Sequence, residues 1–222
     1  MVIDIITLFP NMFDEFINTS IIKRAIDSNK VEINIHNLRD YSNYKNGQVD
    51  DYQFGGGSGM VIMCEPVFNA IEDLRKENTL VIMLTPSGKT YNQKLALDLT
   101  KYEHIILLCG HYEGFDERIK TIIDLEISIG DYVLTGGELP AMIISDSVIR
   151  LLDGVISDGS KMSESFNDNL LDYPVYTKPR EFRGLKVPDV LLSGHHKNID
   201  EYRNNERIRV TKEKRSDLLK GE

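Results

Sequence analysis

Leu80-Val81-Ile82-Met83-Leu84-Thr85-Pro86-Ser87-Gly88 and Ile105-Ile106-Leu107-Leu108-Cys109-Gly110-His111-Tyr112-Glu113-Gly114 share one pattern, an unbroken apolar run ending in a glycine-bearing turn. A strand with one wet face alternates apolar and polar residues, so an unbroken run reads as a strand covered on both faces. Between the two lies Gln93–Lys101, which has helical character. Working outward, Val2–Phe9 reads as a strand. Phe13–Ile26 reads as a helix, with Phe13, Phe16, Ile17, Ile21 and Ala25 at helical spacing. Val31–Ile35 is a strand and Pro66–Arg75 a helix. Further on, Leu125–Ile129 and Tyr132–Leu134 read as extended and Leu139–Leu152 as an apolar helix. Strands alternating with helices predict an α/β fold with a mostly parallel sheet.

The pattern stops at Ser157-Asp158-Gly159-Ser160-Lys161-Met162-Ser163-Glu164-Ser165, a polar stretch without periodicity that reads as a linker. Beyond it, Pro174, Pro179 and Pro188 punctuate an extended segment before a polar helical region from about Asn198 to Gly221. The expected division is an α/β domain at 1–156, a flexible linker at 157–169 and a small helical domain at 170–222. That last part is too short to enclose its own core and needs another surface to pack on.

The 222 residues are 41% hydrophobic and 27% charged, ordinary globular values. No apolar run is long enough to span a bilayer. Met1-Val2-Ile3-Asp4-Ile5-Ile6 has an acid inside its apolar stretch and no basic leader, so neither a secretory signal nor a membrane partner is expected. Cys64 and Cys109 are far apart and form no metal-binding or disulfide pattern, which points to a reducing, cytoplasmic setting. Net charge is −9, yet from Val175 onward 12 Lys and Arg face 8 Asp and Glu. An acidic body with a basic tail fits phosphate contact, and equally a solvated helix face.

Ser87-Gly88-Lys89-Thr90 ends like a phosphate-binding loop, but Met83 stands where the first glycine belongs. Neither a dinucleotide fingerprint nor a zinc pattern occurs, and His195-His196 reads as a loop pair. What remains is three glycine-rich turns directly after buried strands, at Thr85–Gly88, Gly110–Gly114 and Ile129–Glu138. Loops at the carboxyl ends of parallel strands line the ligand crevice, so a small-molecule pocket is expected there. A fourth cluster, Gly55-Gly56-Gly57-Ser58-Gly59-Met60, follows Asp50-Asp51.

Six ordered motifs then carry a resemblance. They are Leu8-Phe9-Pro10, Val49–Tyr52, Gly55–Met60, Cys109–Arg118, Ile129–Pro140 and Val187–Gly194. The chain resembles the bacterial tRNA (guanine-N1)-methyltransferases, of the SPOUT class, from Phe9 to about Leu218. The resemblance, not the periodicity, implies a deep trefoil knot in the main domain, a feature that general chain-path rules exclude. It implies methyl transfer from S-adenosylmethionine to N1 of the tRNA guanosine immediately 3′ of the anticodon, with Mg2+ required. It also implies a homodimer with active sites shared between chains, and no DNA partner.

Residue by residue, the resemblance implies cofactor contacts from Leu84, Thr85, Pro86 and Gly88, from Gly110 and Glu113, and from Ile129, Gly130, Asp131, Tyr132, Val133, Leu134, Gly136 and Gly137. A bulkier side chain at Gly136 or Gly137 is expected to exclude the cofactor from a folded protein. Asp50 and Gly59 fall near the target guanine and its neighbour. Arg150 matches the catalytic arginine and Glu164 the general base, where the family usually has aspartate; Asp158 and Asp168 are the competing carboxylates. Arg203, Arg207, Arg209, Lys212, Lys214 and Arg215 are the expected tRNA-facing cations. The competing readings are a non-catalytic RNA-binding module, a relative acting on another nucleoside, and a nucleotide-dependent phosphotransferase.

Overall fold

The structure, a computed structural model, describes residues 1–157, 164–166 and 168–220. The chain forms two compact units, Met1–Ile156 and Ser157–Glu222.

In the first unit five strands form one parallel sheet: β1 (Val2–Thr7), β2 (Glu32–Asn37), β5 (Thr79–Thr90), β6 (His104–Leu108) and β7 (Leu125–Ser128). Their order is β2-β1-β6-β5-β7. A short antiparallel hairpin of β3 (Asp50–Tyr52) and β4 (Met60–Ile62) stands apart. Both faces of the sheet are covered, which explains the unbroken apolar runs. Ile3, Ile5, Ile82, Leu84, Ile105 and Leu107 point to one face, where α2 (Ser20–Asp27), α4 (Gln93–Leu99) and α5 (Glu138–Ile149) supply Ile22, Leu95, Leu99, Ile144 and Val148. Ile6, Val81, Met83, Ile106 and Leu108 point to the other, against Val67, Ala70 and Ile71 of α3 (Cys64–Leu74).

Three sequence expectations are corrected. The helix expected over Phe13–Ile26 is two, α1 (Asp14–Asn18) and α2. Thr19 is extended and Ser20 has φ +54°, while the Thr19 hydroxyl donates to Glu15 O at 2.6 Å and Asn18 Nδ2 to Asp14 O at 2.8 Å. Such side-chain bonds back onto the helix compete with its continuation. The second correction concerns Tyr132–Leu134, which forms no strand: after Gly130 (φ +145°) the chain leaves the sheet, and Val133 is 87% exposed. The third is β5, which does not end at Leu84. Leu84 and Lys89 both pair with Ile127 of β7, so Thr85–Gly88 bulges out between them.

One buried charge staples the sheet. Asp4 on β1 is 3% exposed and accepts from His36 Nε2 on β2 at 3.0 Å and from His104 Nε2 on β6 at 2.6 Å. Burial pushes its carboxyl up, but hydrogen bonds from His36, His104 and Asn34 outweigh that and bring the pKa to about 2. A folded-state pKa below the ordinary 3.8 contributes stability that is present above pH 3.8 and lost as pH falls towards 2. Asp4→Asn should therefore cost about 2–3 kcal/mol at pH 7. Urea unfolding checks this: the gap from wild type should narrow at pH 3, and a gap independent of pH would refute it.

The second unit contains a two-residue-per-strand hairpin (Glu181–Phe182 with Leu185–Lys186), a short helix Asp189–Leu192 and the long helix His196–Lys214. Thr211 ties the extended segment to that helix: its hydroxyl donates to Arg207 O at 2.7 Å and accepts from Leu171 N at 2.9 Å. Among the described residues no apolar side chain of this unit is fully buried.

Candidate functional site

The ends of β5, β6 and β7 lie side by side, so the bulge Thr85–Gly88, the turn after Cys109 and the segment after Ser128 surround one cavity of about 420 Å³. Leu84, Thr85, Pro86, Gly110, Glu113, Ile129, Gly130, Tyr132, Val133, Leu134, Gly136 and Gly137 all line it. Gly88 and Asp131 do not. Gly88 instead meets β7: a Cβ there would fall 2.4 Å from Ile127 N. Pro140, Phe115, Ser128 and His111 also line the cavity and were not singled out. For His111 a signal existed, since it sits inside a quoted glycine turn.

The wall around Gly136 and Gly137 is polar and buried. Glu138, the first residue of α5, is 3% exposed and accepts from Thr7 Oγ1 at 2.7 Å. A carboxylate in the first turn also opposes the positive end of the helix. Cys109 is buried, and burial, with the Glu138 charge adding to it, pushes its thiol well above the ordinary range. It is a packing residue, not a nucleophile. His111 packs edge-on against Phe9 (4.9 Å) and Tyr112 (4.8 Å), and its Nδ1 is buried without a hydrogen bond among the described residues. A buried ring nitrogen without a partner is costly unless a ligand or water meets it.

Gly137 lines the cavity and is also fixed by packing. Its N–H donates to Gly110 O at 2.8 Å, and a Cβ on it would lie 2.7 Å from both Cys109 Cα and Gly110 N. The glycine lets two backbone segments touch. At Gly136 the atoms nearest to an added Cβ belong to side chains, Glu138 Oε2 at 2.3 Å and His111 Nδ1 at 3.0 Å.

The glycine-rich hairpin is docked on this site. Glu113 N donates to Met60 O at 3.0 Å, Ile62 N to Gly114 O at 2.9 Å and Asp116 N to Ile62 O at 2.9 Å. Gly59 (φ +81°) lies so close to Glu113 that a Cβ would fall 2.5 Å from its Cγ. Asp50 begins the same hairpin, at the start of β3. The residues expected near a substrate and near a cofactor thus meet through Gly59 and Glu113.

Arg150 is the C-cap of α5, half-buried, with its backbone N–H on Asp146 O at 3.1 Å. Glu164 is half-buried in the second unit. Asp158 lies outside the described residues. Asp168 receives Arg207 Nη1 at 2.9 Å and Nη2 on its other oxygen, and these bonds hold its carboxyl below the ordinary range. Four of the expected tRNA-facing cations are likewise engaged: Arg203 with Asp200, Arg207 with Asp168, Arg209 with Glu206 and Glu213, and Arg215 with Asp217.

Comparison with known proteins bears on this arrangement. A family model described as tRNA (Guanine-1)-methyltransferase TrmD matches residues 1–221. The tRNA (guanine-N(1)-)-methyltransferase of Ureaplasma urealyticum is 58% identical over 219 residues, covering 98% of this chain and 96% of the relative. Those of Malacoplasma penetrans and Staphylococcus aureus are 56% and 54% identical, covering 99% of this chain and 97% and 91% of the relatives.

Proposed function

Because the chain belongs to the tRNA (guanine-1)-methyltransferase family, we propose that it moves the methyl group of S-adenosylmethionine to N1 of the guanosine immediately 3′ of the anticodon in tRNA. It is a tRNA (guanine-N1)-methyltransferase. The observation that carries the cofactor assignment is the cavity at the ends of β5, β6 and β7. Its volume suits a small-molecule ligand. Leu84, Ile129 and Pro140 offer an apolar wall to a purine, and His111 Nδ1 offers an unused buried polar atom. The exposed Glu113 carboxylate suits a cationic ligand end. S-adenosylmethionine, when bound, supplies a methyl group activated by its sulfonium.

The chain's own residues do the rest. N1 of neutral guanine carries a hydrogen and no free lone pair, so a base must take that proton. Glu164 takes it. Arg150 donates to O6, where negative charge collects as N1 loses its proton. Asp50 and Gly59 hold the target base and its neighbour. Residues 1–156 hold the cofactor, 157–169 link, and 170–222 grip tRNA. We read the path after β7 as the family's trefoil knot. In support, the chain leaves the sheet's outermost strand and returns to lie against Cys109–Gly110 beyond β5.

A magnesium requirement belongs to this reading, but among the described residues no group of three or more His, Cys, Asp or Glu side chains could hold a metal. No step runs through it. Among the same residues, no helix is long and apolar enough to cross a membrane.

Transfer of labelled methyl from S-adenosylmethionine to bulk tRNA, followed by mapping of the modified nucleoside, tests the assignment. Label at N1 of that guanosine is expected; label on another nucleoside, or none, would overturn it. The acting species is a homodimer whose sites draw Arg150 from one chain and Glu164 from its partner. Mixed Arg150→Ala and Glu164→Ala chains should then regain about half of wild-type activity per heterodimer, since one of its two sites is intact. If both residues came from one chain, mixing would restore nothing.

A further inference from the structure

The second unit carries a cavity of its own, about 470 Å³, that no part of the reaction uses. Its walls include Tyr173, Tyr176, Lys178, Arg180, Leu192 and Arg203, and none of its lining residues is acidic. That composition contrasts with Arg207, Arg209 and Arg215 of the same unit, each of which is held by a carboxylate. Among the described residues neither Lys178 nor Arg180 has an ion-pair partner, and both are exposed. Tyr176 keeps 48% of its surface in water, a cost for an aromatic ring that ends in no core. The guanidinium of Arg203 lies 4.9 Å from the ring centre of Tyr173 and carries a buried Nε without a hydrogen bond. Two aromatic rings, an arginine already stacked and two unpaired cations make a chemistry that fits one ligand class: a flat base with an attached phosphate.

We propose that this cavity binds an unpaired nucleotide of the tRNA, other than the methylated guanosine, with its base on Tyr176 and its phosphate on Lys178 and Arg180. The inference rests on the tRNA-methyltransferase reading and adds a second point of grip to it. The ion pairs elsewhere in the unit favour these two cations over Arg207, Arg209 and Arg215 as the contact. Arg207, Arg209 and Arg215 must each leave a carboxylate before they can neutralise a phosphate, whereas Lys178 and Arg180 have none to leave.

The test uses the full chain and a fluorescently labelled tRNA transcript, with binding read by anisotropy across a salt series. Tyr176→Ala should weaken tRNA binding about 5- to 100-fold, the range set by one base stacked on one aromatic ring. Tyr176→Phe keeps the ring and should bind like wild type. Lys178→Glu combined with Arg180→Glu should weaken binding and reduce the salt slope by about one per lost phosphate contact. S-adenosylmethionine affinity should be unchanged in every variant, and kcat at saturating tRNA nearly so. Wild-type tRNA affinity in both Tyr176→Ala and the double charge reversal would overturn the proposal. So would weaker binding accompanied by a shift to a smaller species in sedimentation, which would mean that a second copy of the chain covers the cavity. Wild-type methyl transfer, measured alongside, separates the two levels. A wild-type chain that methylates tRNA while its variants bind like it removes only the cavity; one that methylates no tRNA removes the premise as well.

Discussion

Gly137→Val is expected to yield a protein that does not fold, while Gly136→Ala is expected to yield a folded one that has lost its cofactor. At Gly137 the new Cβ would sit 2.7 Å from Cys109 Cα and Gly110 N, atoms of a backbone held in place by the Gly137 N–Gly110 O hydrogen bond. Neither segment can step aside without pulling Cys109 out of the core or α5 off the sheet. A clash of backbone on backbone belongs with the rare substitutions that cost about 4–5 kcal/mol or more, a large share of a domain's whole stability of about 5–15 kcal/mol. At Gly136 the obstructing atoms are the ends of two side chains, Glu138 Oε2 and His111 Nδ1. They can give way, but only by disturbing the cavity wall they belong to. Thermal melts and calorimetric titration with S-adenosylmethionine distinguish the pair. A Gly137→Val protein melting within a few degrees of wild type would mean that the two segments are not rigidly opposed. A Gly136→Ala protein with full affinity would place the cofactor elsewhere.

This contrast also marks how far the sequence could be read. Strands covered on both faces announce themselves, because every residue of Leu80–Leu84 or Ile105–Cys109 has an apolar neighbour to meet. The loops at their ends were legible for the same reason, since a glycine directly after such a strand sits where a parallel sheet opens its crevice. What could not be read is any property set by a distant part of the chain. Gly137 is glycine because Cys109 passes beside it, and nothing near residue 137 says so. Tyr132–Leu134 has strand-forming residues but no strand to pair with, so tertiary context overrides its propensity. Thr19 and Ser20 interrupt an apolar spacing that continues in register on either side, so periodicity alone reports one helix where there are two. The surplus of bases after Val175 is visible in composition. Which of them are already spent on carboxylates is not, because the pairing of Asp168 with Arg207 joins residues far apart in the chain.

Glu164→Gln should bind S-adenosylmethionine normally and lose about 10²–10⁴-fold in kcat, the usual contribution of a positioned general base. The expectation rests on the proton at N1, which a base must take, and on the role proposed above for Glu164. Carboxylates are weak bases, so Glu164 acts only if the charge left on guanine is stabilised at the same moment, which is the task proposed for Arg150. Asp168 is held as an anion: both its oxygens receive Arg207, and those bonds, strongest among the causes, hold its carboxyl below the ordinary range. A carboxylate so stabilised as an anion resists taking up a proton. Asp168→Asn is therefore expected to keep its turnover and to show its effect in the stability of the carboxyl-terminal unit, through a loosened Arg207. Glu164→Asp keeps a carboxylate on an arm one methylene shorter, and it should retain substantial activity. Single-turnover kinetics with saturating tRNA and cofactor measure the chemical step in each variant. If Glu164→Gln turns over like wild type while Asp168→Asn is dead, the proton goes to Asp168, and the arginine bonds to it must open when tRNA binds.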